Sequence, residues 1–420
     1  MRQDKTSHFI STSPPNYGKP LMAQQKIVII GGGVIGLSTA YHLARRGCRE
    51  VVLLEKDTLG EGSSSRAAGI TSGLLWTETG VNARKVSLAR FRELTRELPG
   101  YQYHDTHGCL NLYNPALWPE REKLLPLYDR LGVSYEVLNA SAIKRRWPEI
   151  NPEADAIGLL DPRGGYSEPP DYIRSLAAAA RALGVEIREH EKVTGFTRDG
   201  ARVTGVQTAA GHFPADAVVS TVHIWTLPVL EALQVSLPVK HFVHQRYMSA
   251  PTHGKLAFPP VNADSYGGYV RPAYGNRILL GVETAERDEE RITSTDFHMR
   301  TLQTDPGLRD RTVKKFTPLL PALRKVTWEY ERVGLISFSM DGEPVLGPVK
   351  SVPGLFVGLA FHSGGFSYNP AAGFFLAEFV TEGKTSIDLS AFSPDRYVPS
   401  AVARHLAETV QQQHAVKRRH

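Results

Sequence analysis

Gly31, Gly33 and Gly36 stand at the spacing G-x-G-x-x-G, and an acidic residue, Glu55, follows about twenty residues beyond them. That set of residue types can hold a dinucleotide. Gly31 permits a tight turn, Gly33 lets the backbone approach a pyrophosphate, and Gly36 lets a helix pack closely on a strand. The pyrophosphate then rests on the amides and positive end of the helix. Glu55 can accept both ribose hydroxyls and would repel a 2′-phosphate, so FAD or NAD is expected rather than NADP.

The elements that must position this turn are legible around it. Lys26 to Ile30 form a short apolar β run, and Leu37, Ala40, Tyr41 and Ala44 recur at helical spacing until Gly47. Val51 to Leu54 form a second strand. A glycine- and serine-rich loop follows from Gly60 to Gly73, and then an amphipathic helix carrying Leu88, Phe91, Leu94 and Leu98. The segment to about Pro152 is rich in aromatics and prolines. Asp171 to Leu183 reads as a helix closed by Gly184, followed by the strands VEIRE, KVTGFTRD and RVTGVQT. Gly267 to Glu283 and Trp328 to Ser339 have β character, and the strand LFVGLAF precedes a helix placed after Asn369-Pro370. The expected architecture is α/β, with a mixed sheet inserted between pieces of the nucleotide domain.

A chain of 420 residues at 41% hydrophobic can bury a large core and form two domains. Its net charge of +6 is scattered, with the densest run, Lys417-Arg418-Arg419, at the end, so nucleic-acid binding is not expected. Two cysteines, Cys48 and Cys109, show no metal spacing and no disulfide framework, which fits a reducing cytoplasm. No apolar run approaches a transmembrane span. Residues 1–25 are polar, lack the apolar centre of a signal peptide and read as a disordered extension, with Met22 as an alternative start.

Several separated motifs together resemble the D-amino-acid oxidase superfamily of FAD-dependent amine and amino-acid oxidoreductases, especially its dimethylglycine/sarcosine dehydrogenase-oxidase and glycine oxidase branch. They are the glycine turn with LEK, the loop SSSRAAGI, the central PDYIRSLAAAARALGVEIREHEKVTGF, and the ending SMDGEPVLGPVKSVPGLFVGLAFHSGGFSYNPAAGFFLAEFVTEG. The resemblance implies a Rossmann-like FAD domain of discontinuous segments (26–85, 150–230 and 326–400). It places a mixed-sheet substrate domain at 86–149 and 231–325 and a tail at 401–420. It implies that Gly31, Gly33, Val34, Ile35 and Gly36 cradle the FAD pyrophosphate, that Glu55 holds the ribose, and that Lys56 lies beside the adenine end. Ser64, Ser65, Arg66, Ala67, Ala68 and Gly69 match the loop along the flavin, and Val193 matches an adenine-contacting strand residue or is a plain core valine. Gly364, Gly365, Phe366 and Ser367 match the turn facing the pyrimidine end, where a helix dipole favours negative charge. Gly342 belongs to the Asp341–Pro344 turn on the ribityl side.

The departures from that family are as informative. Arg66 stands where the dehydrogenases carry a flavin-linked histidine, and no cysteine follows Cys109, so noncovalent FAD is expected. The usual carboxylate-binding arginine before Asp341 is replaced by Ile336 and Ser337. Tyr269 and Arg271 alternate on one strand face, and Arg271 either anchors a substrate carboxylate bidentately or is a surface arginine. His362 is placed at the flavin edge; His241 and His244 are weaker candidates. His223 either narrows the site or packs in the core.

The activity implied is removal of a hydride from the carbon next to nitrogen in a secondary or tertiary amine or amino acid, giving an imine that hydrolyses. Oxygen or an electron-transfer partner then takes the electrons. The rivals are a 2-hydroxy-acid dehydrogenase on the same scaffold, with His362 as base, and a flavin subunit of a hetero-oligomeric oxidase.

Overall fold

The structure, a computed structural model, describes residues 24–415. The expected extension, Met22 and the basic run Lys417–Arg419 therefore lie outside the described residues, apart from Gln24 and Gln25.

The glycine turn belongs to a six-stranded sheet in the order Val345–Pro348, Leu355–Leu359, Ala217–Ser220, Lys26–Ile30, Glu50–Leu54, Glu186–Arg188. Every pairing is parallel except the first, at the Val345–Pro348 edge. Ile27 sits between Ala217 and Val51, so the chain leaves the middle of the sheet at the turn. In such sheets ligands bind beyond the carboxyl ends of the central strands. One face of the sheet is covered by the helices Val34–Arg45, Glu78–Glu97, Pro169–Ala182 and Gly365–Glu382, which share one apolar cluster with Ile27, Ile29 and Leu53. The other face packs with a three-stranded antiparallel sheet through Val28, Ile30, Val203 and Val206.

An eight-stranded sheet stands beside this unit: Trp328–Ser339, Val239–Ser249, Arg277–Glu283, Gly268–Ala273, Val261–Ala263, Cys109–Tyr113, Ile157–Asp161, Glu136–Asn139. It is mixed, as expected, because Val261–Ala263 runs parallel to Cys109–Tyr113 while the other pairs are antiparallel. Two of its strands, Ile157–Asp161 and Trp328–Ser339, come from stretches that the sequence reading gives to the nucleotide domain. Within the 401–420 tail, Gln412 is buried, and its amide donates to Arg287 O at 3.1 Å.

The last long helix corrects one boundary. It begins at Gly365, not after Asn369-Pro370, and carries Pro370 inside. Proline removes the amide that would bond the carbonyl four residues back. Here the Asn369 side-chain Nδ2 donates to that carbonyl, Phe366 O, at 2.6 Å, so the helix survives.

Candidate active site

A cavity of about 200 Å³ runs from the glycine turn to the strands of the eight-stranded sheet. At its first end, Gly31 adopts φ +106°, which favours glycine, and its amide donates to Leu54 O at 2.8 Å. A Cβ on Gly36 would collide with the Gly31 carbonyl, which enforces the close packing expected of that residue. A Cβ on Gly33 would meet only Ser64 Oγ, at 3.0 Å, so its small size keeps cavity space open. The helix Val34–Arg45 starts with no side-chain cap at Gly33 and no acidic residue in its first turn, leaving its positive end for an anion.

Glu55 faces this turn. Its Oε2 accepts from Gly32 N at 2.7 Å and its Oε1 from Asp57 N at 2.8 Å. Burial pushes its pKa up, against these two bonds. A carboxylate has about four acceptor sites, so room remains for ribose hydroxyls. Val193 lines the same end with Glu191 and Lys192. Lys56 also reaches the wall, but its ammonium donates to Thr295 O at 3.0 Å and Phe297 O at 2.6 Å and lies 4.3 Å over the Trp225 ring. That ammonium holds the 295–297 segment in place.

Along the cavity's middle runs the loop 60–69, held by its own Arg66 and by Arg246 and Arg271 from the eight-stranded sheet. Arg66 Nε donates to Val333 O at 2.9 Å, and its Nη1 to Glu61 O and Gly62 O. Buried Arg246 donates from Nε to Arg66 O (2.9 Å) and from Nη2 to Ser65 O (2.7 Å). Arg271 Nε donates to Ala68 O at 2.6 Å. Ser63, Ser64, Arg66, Ala67 and Ala68 of this loop line the cavity. Ser64 Oγ accepts from Val34 N at 3.0 Å and so ties the loop to the glycine turn. Ser65 and Gly69 are not on the wall; a Cβ on Gly69, which has φ +73°, would collide with Ser167 O.

At the far end stand His244, Tyr269, Ile336 and His362. His244 and Tyr269 stack with ring centroids 5.5 Å apart and planes 6° from parallel. The Tyr269 ring crosses Gly281, where a Cβ would collide with it. Burial pushes the pKa of His244 down to about 4, and that of His362 to about 4, so both imidazoles are neutral at neutral pH. His362 has φ +56°, two residues after Ala360 at φ +54°, and its Nε2 is buried without a partner. Such strain, joined to an unsatisfied nitrogen on a cavity wall, is typical of functional positions.

Gly365 and Phe366 line the cavity here, whereas Gly364 and Gly342 line a neighbouring chamber, and Ser367 lies in the core. His223 both lines the cavity and packs inward. Its Nε2 faces Leu335 O at 3.1 Å and therefore donates, so its Nδ1 accepts from Ser337 Oγ at 3.1 Å. Ser337 Oγ in turn takes the Nδ1 proton of His241 at 2.8 Å, which places His241 in the core.

Arg271 is where the structure departs most from the sequence reading. It is 0% exposed and is not on the cavity wall. Its Nη1 and Nη2 form a fork with Glu168 at 2.8 and 2.9 Å, and Nη1 also reaches Pro272 O at 2.7 Å. Four of its five N–H groups are thus engaged inside the protein, so it is not a surface arginine and has at most one N–H left for a ligand. Residues that the sequence reading missed include Trp225, Leu335 and Gly334, where a Cβ would meet the Arg66 Cδ at 2.9 Å. An isolated glycine within a strand was the one signal for that approach.

A family profile described as FAD dependent oxidoreductase, the DAO family, matches residues 26–379. The chain belongs to this family. It is 29% identical over 402 residues to the 4-methylaminobutanoate oxidase (formaldehyde-forming) of Paenarthrobacter nicotinovorans, covering 94% of this chain and 48% of that one. It is 29% identical over 385 residues to the sarcosine oxidase subunit beta of an Arthrobacter species, covering 88% and 90%. The chain thus spans about half the length of the first of these relatives, but nearly all of the second. The fold matches the L-proline dehydrogenase of P. horikoshii with TM-score 0.80 at 22% identity, covering 89% of this chain and 97% of that one. The open helix end at Gly33, the space above it and the acceptor at Glu55 fit FAD. Among the described residues, no helix is long and apolar enough to cross a membrane.

Proposed function

We propose that this chain binds FAD noncovalently and oxidises a secondary or tertiary amine or amino acid at the carbon next to nitrogen. FAD, when bound, supplies the two-electron acceptor. The substrate loses a hydride from carbon, and the imine formed from its nitrogen lone pair takes up water to give an amine and a carbonyl compound. Gly31, Gly33, Val34 and Ile35 would hold the pyrophosphate, Glu55 the ribose, and Ala67 and Ala68 the ring's approach.

One observation carries the choice of an amine: the far end of the cavity is desolvated and its imidazoles are neutral. Burial that holds His244 and His362 near about 4 also disfavours an ammonium, so it delivers the neutral amine from which hydride leaves. A 2-hydroxy acid would instead need a base for its hydroxyl proton, and an imidazole of such low basicity is a poor one. The relatives support the same reading, since each is named for action on an amine or amino acid.

Product analysis tests it. Turnover of an N-methylated amino acid should yield aldehyde and demethylated amine in equal amounts, and formation of 2-oxo acid from 2-hydroxy acids alone would overturn it. Arg66 carries the noncovalent part of the reading, because its guanidinium is fixed on Glu61 and Val333 where a linking histidine would stand. Acid precipitation should release the flavin. The electrons would pass to oxygen or to an electron-transfer partner, and two buried cysteines fit a cytoplasmic home.

The likeness to a sarcosine oxidase subunit favours a second reading, in which the chain is the flavin subunit of a larger complex. In that case FAD would bind to the isolated chain but amines would not reduce it.

A further inference from the structure

Between the strand Arg277–Glu283 and the helix Pro306–Phe316, residues 284–305 have the short turn Met299–Thr301 as their only helix. Irregular stretches of that length are uncommon in a compact fold and usually serve as lids or binding loops. This one leaves the eight-stranded sheet, yet its middle lies against the six-stranded unit, and Thr295 lines the first cavity where Glu55 would hold the ribose. Two apolar anchors pin it, Ile292 and Met299, both buried in one cluster with Val243, Val333 and Leu335. Between them Thr293, Ser294 and Asp296 are exposed and Phe297 is half-buried.

Four side chains grasp this middle. Lys56 Nζ holds the carbonyls of Thr295 and Phe297, and Trp225 Nε1 donates to the same Phe297 O at 2.9 Å. Asp57 accepts from His298 Nδ1 at 3.0 Å and from Arg300 Nη1 at 3.3 Å, and Lys192 Nζ donates to Asp296 Oδ1. All four graspers follow the carboxyl ends of strands in the six-stranded sheet and themselves line the cavity. They differ in strength. Arg300 and Asp296 are exposed, and such ion pairs add little. The Lys56 side chain is 16% exposed, and its ammonium takes two carbonyls of the strap over the Trp225 face.

We propose that residues 293–298 are a latch over the nucleoside end of the cavity, fastened by Lys56, and that FAD enters and leaves when this strap lifts between Ile292 and Met299. The latch rests on the noncovalent reading above and gives it a means of retaining the cofactor without a bond. Lys56 and Asp57 then act as positioning residues for the strap. A gate has a kinetic signature that a contact lacks. A contact to FAD slows release alone, whereas a gate slows entry and release by the same factor and leaves the dissociation constant nearly unchanged.

Apoprotein is mixed with rising concentrations of FAD in stopped flow, and flavin fluorescence is followed. Release is followed after dilution of loaded protein. In wild type the observed binding rate should level off at high FAD, at the rate of strap opening. Lys56→Met should raise this plateau and the release rate together, each by roughly tenfold, the factor that one lost hydrogen bond to a charged group carries. The dissociation constant should change by less than about threefold. Because Lys56 is on the cavity wall, a second variant cuts the latch from the strap side. His298→Ala with Arg300→Ala frees Asp57 through residues that do not line the cavity, and it should raise both rates by roughly threefold. Melting temperature is measured on both variants; the second alters partly exposed side chains, which spares the fold.

A binding rate that climbs linearly with FAD in wild type overturns the latch. So does faster release with unchanged entry in Lys56→Met, because Lys56 would then be a contact to the cofactor. Flavin that stays with the pellet after acid precipitation overturns the noncovalent reading and the latch with it. Flavin that acid releases, joined to unchanged rates in both variants, overturns the latch alone.

Discussion

At the glycine-turn end of the cavity, Ile30, Gly31, Gly33, Val34, Ile35, Leu54 and Glu55 all come from one continuous stretch of chain. At the other end, His244, Tyr269, Ile336 and His362 come from four segments spread between positions 244 and 362. The first end is a local device, a strand, turn and helix whose residues do their work by backbone geometry. The second is tertiary, because a side chain's role there depends on what another segment places against it. Arg271 makes the point: whether it meets a substrate or Glu168 is decided by a partner 103 residues away.

The largest expected effect breaks the local end. Gly33→Leu should reduce the FAD content of purified protein to near zero, because the side chain fills the space next to the backbone amides. Since a Cβ at that position meets only Ser64 Oγ, the apoprotein should still fold, with little change in circular dichroism. Full flavin occupancy would show that the cofactor lies elsewhere.

At the distributed end the prediction concerns stability. Arg271→Met leaves the largely buried Glu168 without its cation, with the Tyr274 amide still donating to it, and should cost about 3 kcal/mol in chemical denaturation. Adding Glu168→Leu should recover much of that loss. If Arg271→Met instead raised the Michaelis constant at unchanged stability, the carboxylate-anchor role would return and the contrast between the two ends would fail.

A smaller effect follows at Glu55. Glu55→Ala removes a charged acceptor and should weaken FAD binding by about 1.5–3 kcal/mol. The apoprotein's dissociation constant for FAD measures it, and a loss as complete as that of Gly33→Leu would mean that the carboxylate's bonds to Gly32 and Asp57 shape the turn itself.

The smallest effect is a pH dependence. Burial holds His241 at about 3 and His244 and His362 at about 4, below their unfolded value near 6.5. The unfolded chain therefore takes up protons between about pH 6.5 and 4 that the folded one refuses. Stability from these groups is present above about pH 6.5 and is lost as pH falls, by up to about 1.4 kcal/mol per pH unit for each histidine. Denaturation midpoints measured from pH 7 to pH 5 should fall, and His241→Gln should flatten the slope. An unchanged slope in that variant would mean that His241 is protonated in the fold.

How much of this was legible follows the same division. The glycine turn, the order of the flanking elements and the mixed sheet could be read because period and turn chemistry act over a few residues. The helix start at Gly365 was missed because proline normally ends or begins a helix. Only the structure shows Asn369 replacing the lost amide donor. Lys56 lies beside the expected end of the cavity, but its ammonium holds Thr295 and Phe297, polar-segment carbonyls that carry no sequence signal.

The central claim, that this flavin cavity oxidises amines, is tested most directly by mixing FAD-loaded protein with an N-methyl amino acid under anaerobic conditions. The matching 2-hydroxy acid is run in parallel, and the flavin absorption band is followed. The account predicts bleaching by the amino acid, faster as pH rises toward the amine's own pKa, and none by the hydroxy acid. Bleaching by the hydroxy acid alone would contradict it.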